Sequence, residues 1–205
     1  MSYSSEPILP LSLLEAMRAL DTPPDEELLD LDLAEEIRLK RFGLSEPVLQ
    51  QMRRFRDAMK RGQQIPAAEV AALAQLVARR PDAAQAFHDA GTRTAAAAID
   101  SVRAPVRSAL PHLPGALSRP LALRQFTKLA HRFLGASVTR QGGALLLEIA
   151  EPVMSNDGNA SGCAFYEGAF VKLLNQLTGN TASLQRMACV SRGDRSCQWR
   201  TDWRR

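Results

Sequence analysis

The chain has 205 residues, 45% of them hydrophobic and 23% charged, with a formal net charge of +4, the make-up of a globular protein with one or two buried cores. It contains no run of about 18 apolar residues, which excludes a membrane-spanning helix; the longest stretch, residues 144–149, is followed by Glu151 and Pro152. The opening, MSYSSEPILP, places no positive segment ahead of an apolar one, so a cytoplasmic location with reduced thiols is expected.

Charge is uneven along the chain. Acids crowd the front (Asp25, Glu26, Glu27, Asp30, Asp32, Glu35, Glu36), and arginines follow. The clusters Arg53-Arg54-Phe55-Arg56, Lys60-Arg61 and Arg79-Arg80 lack a nucleic-acid motif and interleaved stacking aromatics, and read as solvated helix faces rather than a direct nucleic-acid surface.

Residues 11–20 form a first helix, broken at Asp21-Thr22-Pro23-Pro24 because the residue before a proline avoids the helical region. A second helix starts with acids in its first turn and runs to residue 41, closed by Gly43. Ser45-Glu46-Pro47 opens a third, whose stripe is Val48, Met52, Phe55 and Met59. Ile65-Pro66 starts a fourth, with Val70, Leu73, Leu76 and Val77 inward. Residues 1–80 are thus expected as an all-helical N-terminal region of antiparallel helices.

From residue 81 the spacing predicts a second domain, 81–205. An alanine-rich helix over 82–106 presents Ala83, Phe87, Ala90 and Thr94, interrupted by Gly91; its small residues permit close approach of another helix, so a homodimer through it is expected. A proline-rich joint, including Pro111-His112-Leu113-Pro114, leads to a helix over 119–134 carrying Leu121, Phe126, Leu129 and Phe133. The period then changes. Residues 136–151 read as a hairpin with a Gly142-Gly143 turn, its second strand buried on both sides. A helix over 162–177 turns Phe165, Phe170, Leu173, Leu174 and Leu177 inward, and residues 181–203 give a second hairpin across Gly193-Asp194. The fold class expected is α+β: helices packed on an antiparallel sheet of two hairpins.

Cysteine spacing carries the chemistry. Cys163 opens a helix, Cys189 comes late in one strand and Cys197 lies in its partner. Three thiolates brought together supply three of the four positions of a tetrahedral zinc site; scattered, each is a small buried hydrophobe. Phe126, Phe133, Phe165, Tyr166 and Phe170 are candidates to line an apolar ligand pocket, with core filling as the alternative for each. His112 is a candidate to orient a polar group of the ligand, or is a loop residue. No nucleophile elbow, phosphate loop, HExxH or CxxC pair is present, so no catalytic residues are assigned and enzymatic chemistry has no support.

The run Cys163-Ala164-Phe165-Tyr166-Glu167-Gly168, the helix behind it, and Cys189-Val190-Ser191-Arg192-Gly193-Asp194-Arg195-Ser196-Cys197-Gln198-Trp199 resemble the 4-vinyl-reductase domain family. The resemblance covers about residues 85–203, is strongest over 160–200, and leaves out the first 80. It implies the fold of phenol-responsive sensor domains and vesicle-transport-particle subunits, built around an elongated apolar pocket for small hydrophobic molecules. In the phenol sensors three cysteines and a glutamate three residues before the middle one hold zinc; that position here is Arg186, which cannot ligate a metal. A fourth ligand would come from water, Asp194, Glu167, His88, His112 or His131. Alternatively Arg186 lowers the thiol pKa values and the cysteines stay metal-free. The expected function is non-enzymatic binding or sensing of a small hydrophobic ligand. Two alternatives stand beside it: a tetrapyrrole-handling accessory role in (bacterio)chlorophyll synthesis, and a scaffold whose N-terminal helices bind a partner protein.

Overall fold

The structure is a computed structural model that describes residues 4–22, 45–102, 104, 115–155, 160–179 and 181–203, with backbone alone at 115–117. The expected helix over 24–41, the acidic front and His112 lie outside the described residues. In chain order the elements are β1 (Ser4–Ser5), α1 (Ile8–Asp21), α2 (Glu46–Lys60), β2 (Ile65–Pro66), α3 (Ala67–Val77), α4 (Ala83–Asp100), α5 (Gly115–Leu134), β3 (Ser137–Gln141), β4 (Ala144–Ile149), α6 (Gly162–Thr178), β5 (Gln185–Ala188), a 3-10 turn (Val190–Arg192) and β6 (Cys197–Asp202).

The expected α+β class is what forms. Two antiparallel hairpins join through β4 and β6 into one four-stranded sheet of order β3-β4-β6-β5. The apolar strands take the centre and the polar ones the edges, as burial of apolar side chains requires. On β4, Leu145, Leu147 and Ile149 are buried while Leu146 and Glu148 between them are half-exposed. The strand therefore alternates, correcting the expectation of burial on both sides: only one face is covered. On β6 the covered face is Cys197, Trp199 and Thr201, in register with Ile149, Leu147 and Leu145.

The helix α6 lies on that face. Phe170 and Tyr166 meet the Trp199 ring at centroid distances of 5.5 and 5.8 Å. Its other side packs against α4 at very short range, because Gly91 and Gly168 put no side chain between the two backbones. A Cβ at Gly91 would stand 1.9 Å from the Phe165 carbonyl oxygen, and one at Gly168 would stand 2.4 Å from that of His88. The alanine-rich face of α4 (Ala86, Ala90, Ala95, Ala98) is thus buried within the chain. Beyond α4, α1 packs in turn, and α2 and α3 close over α1. One hydrophobic cluster runs from Ile8 to Trp199, through both the N-terminal helices and the sheet.

Several local expectations shift. Ile65-Pro66 pairs with Ser4–Ser5 as a two-residue ladder before α3 starts at Ala67. Helix phase turns Ala58 and Ala74 inward and leaves Met59 and Leu76 exposed, against the stripes expected for α2 and α3. Helix α4 ends at Asp100 rather than near 106, and α5 begins at Gly115, so Pro120 falls inside it. The strand expected from residue 181 is only Gln185–Ala188, and Cys189 lies just past its end, in extended backbone leading into the 3-10 turn.

Candidate functional site

Three elements deliver one sulfur each to the head of α6. Cys163 sits in its first turn; Gly162 beside it lets the preceding loop cross closely, a Cβ there meeting the Met154 carbonyl at 1.8 Å. The same loop is tied down by the Met154 N–H, which donates to the Tyr166 hydroxyl at 3.2 Å. Cys189 is placed by the β5–β6 connection, where Asp194 Oδ2 accepts the Cys189 N–H at 2.7 Å and Gly193, at φ 91, makes the left-handed turn. Cys197 opens β6.

The sulfurs converge. Cys163 Sγ lies 2.8 Å from Cys189 Sγ and 4.0 Å from Cys197 Sγ, and all three lie within 4.8 Å of one another with no side-chain exposure. A tetrahedral ion with bonds of about 2.3 Å holds its sulfurs about 3.8 Å apart, between these two separations, so the triangle suits one soft ion. Ser191 Oγ lies 2.9 Å from Cys189 Sγ, Ser155 Oγ lies 3.5 Å from Cys163 Sγ, and the Val190 N–H points to Cys197 Sγ at 3.4 Å. These polar contacts orient sulfur lone pairs and are absent from the sequence reading.

The thiols differ from one another. Cys163 is held above the ordinary cysteine range by its contact with Cys197 and by burial; Cys197 is held below it, chiefly by its contact with Cys163. Tyr166 is pushed up by burial and stays neutral.

Neighbouring carboxylates are committed elsewhere. Glu167 Oε1 accepts Arg186 Nε and Nη2, both at 2.7 Å, and Trp199 Nε1 at 3.0 Å. The register explains the meeting: Arg186 on β5 pairs with Trp199 on β6, so both project toward α6, where Glu167 waits. Burial opposes the Arg186 charge, yet Glu167 and the sulfurs of Cys163 and Cys189 raise its pKa above the usual value. Of the fourth ligands considered, Glu167 is engaged by Arg186 and Trp199, and Asp194 faces the Cys189 backbone. His88 is an exposed residue of α4 beside Asp89, and His131 an exposed residue of α5. Among the described residues the converging metal-capable side chains are the three cysteines alone. The donor set therefore fits a soft metal ion in three positions.

Four of the aromatic candidates, Phe126, Phe165, Tyr166 and Phe170, also gather. Phe165 and Tyr166 meet edge to face at 5.3 Å, and Phe126 contacts Phe170 at 6.3 Å; with Trp199 they form one buried chain of rings. Trp199 was not among the sequence candidates, although its place two residues after Cys197 on an alternating strand signals that it faces inward. Phe133 is buried further along α5, with the Arg132 guanidinium 4.9 Å above its ring. A surface cleft of about 320 Å³ lies elsewhere, lined by Arg119, Pro120, Leu123, Arg124, Arg140 and Trp203.

No family model, curated protein or solved structure matches the chain. No helix among the described residues is long and apolar enough to cross a membrane.

Proposed function

We propose that this chain is a non-enzymatic binding module for a small hydrophobic molecule, of the 4-vinyl-reductase kind, in which a metal ion on three cysteines fixes the head of α6. The observation that carries the reading is the meeting of Cys163, Cys189 and Cys197 at the head of α6, the helix that carries Phe165, Tyr166 and Phe170. Zinc is the ion that the resemblance implies. Cys163, Cys189 and Cys197 would hold it, and it would supply a cross-link between α6, the β5–β6 connection and β6. The ligand's affinity would come from apolar burial against Phe126, Phe165, Tyr166 and Phe170, with Phe133 and His112 as further contributors.

Native mass spectrometry of the protein as purified, with metal analysis and mass analysis of a solvent extract, tests this. One metal ion per chain together with a released apolar compound is the expected result. A Soret band in the same sample would identify the compound as a tetrapyrrole and favour the accessory-protein alternative. A bare chain that also fails to bind an apolar fluorescent probe would overturn the ligand-binding reading and leave the partner-binding alternative.

A further inference from the structure

Of the charged groups near the sulfurs, Arg186 is ion-paired and Asp194 is an exposed carboxylate turned to the backbone. Arg186 is matched by Glu167 at 2.7 Å, and Asp194 takes the Cys189 N–H at 2.7 Å. The sulfurs are fully buried, and among the described residues no carboxylate or imidazole joins them. A trivalent centre that takes three thiolates and keeps a lone pair forms a neutral complex with these sulfurs and needs no further ligand.

We infer that the cluster is an all-sulfur, three-coordinate site for a trivalent thiophile of the arsenite or antimonite class. Binding of arsenous acid balances without any electron transfer: three S–H and three As–O bonds break, three As–S bonds form, and each thiol proton leaves with a hydroxide as water. The product is neutral, and the Arg186–Glu167 pair beside it adds no net charge. The cluster's shape agrees, since Cys163 Sγ lies 2.8 and 4.0 Å from its partners and all three sulfurs lie within 4.8 Å of one another, close enough for one atom to cap them. The inference shares its sulfurs with the proposed metal cross-link but is independent of the apolar ligand.

The test titrates the protein as purified with arsenite. Metal release is followed with a chromogenic chelator, blocked thiols with a disulfide reagent, and the arsenic environment by X-ray absorption. One arsenite per chain, three blocked thiols, release of any resident metal and a shell of sulfur alone are expected. Serine at any one of Cys163, Cys189 or Cys197 should weaken capture by more than the about tenfold that loss of an outer-shell partner costs. Blocking of only two thiols, an oxygen in the arsenic shell, or a resident metal that arsenite cannot displace would overturn the inference. The wild-type thiol count needs no variant, so it decides even if a serine variant fails to fold. An apolar-probe titration of the same sample separates the two proposals: probe binding without arsenite capture overturns this one alone.

Discussion

Gly91 and Gly168 set how closely α4 and α6 approach, and two opposing magnitudes decide what alanine would do at Gly91. Helix propensity favours alanine by about 1 kcal/mol. The added Cβ would meet the Phe165 carbonyl oxygen at 1.9 Å, and overpacking of a close-packed interface costs about 1–3 kcal/mol or more. The clash should win, because backbone rather than a flexible side-chain end is in the way. Gly91→Ala is therefore expected to lower the urea midpoint; an unchanged or raised midpoint would show that the helices separate cheaply. At Glu167 the account rests on three donors to one oxygen, so Glu167→Gln should destabilise by about 1–3 kcal/mol. A double-mutant cycle with Arg186→Met should show coupling, and strict additivity would contradict the pairing. The cysteines were legible in the sequence because they are rare and spaced around a turn. The Glu167–Arg186–Trp199 contact was not: it needs β5–β6 register and α6 phase together. The one signal available was a lone acid in an apolar helix stretch, Phe165-Tyr166-Glu167-Gly168-Ala169-Phe170.

Among the elements, the end of α1 is tied to the start of α4 by Arg80. Its guanidinium donates to Asp21 at 2.7 and 3.0 Å and to Asp82 at 2.7 and 2.8 Å. The Arg80 hydrogen bonds hold the Asp82 carboxyl below its usual range. A carboxyl depressed on folding adds stability above its unfolded pKa of about 3.9, and that contribution fades as pH falls through the folded value. The stability difference between the wild type and Arg80→Met should accordingly shrink on acidification below about pH 4. Urea midpoints of both proteins across that range check it, and a difference that stays constant would contradict the linkage. Element types were legible from periodicity and breakers, and the two hairpins from the change of period after Gly135. Phase was less so: small alanines such as Ala58 and Ala74 compete with Met59 and Leu76 for the inward face, and close packing favours the smaller side chain.

Across the molecule, α6 is the hub, with the sheet on one side through Trp199 and α4 on the other, and α1 continues the stack beyond α4. The sulfurs sit at its head, where the preceding loop, the β5–β6 connection and β6 all end. That convergence could be anticipated from spacing but not placed, since nothing local in the sequence says which face of the sheet α6 covers. A metal ion there joins three chain segments, so it should raise the melting temperature, and chelation should lower it. The most direct measurement is the absorption spectrum of the cobalt(II)-substituted protein, whose near-ultraviolet sulfur-to-cobalt bands grow with the number of thiolates bound. The account predicts strong bands in the wild type and a clear loss on serine substitution at each of Cys163, Cys189 and Cys197. Absence of the bands, or full intensity in any one of the three variants, would contradict it.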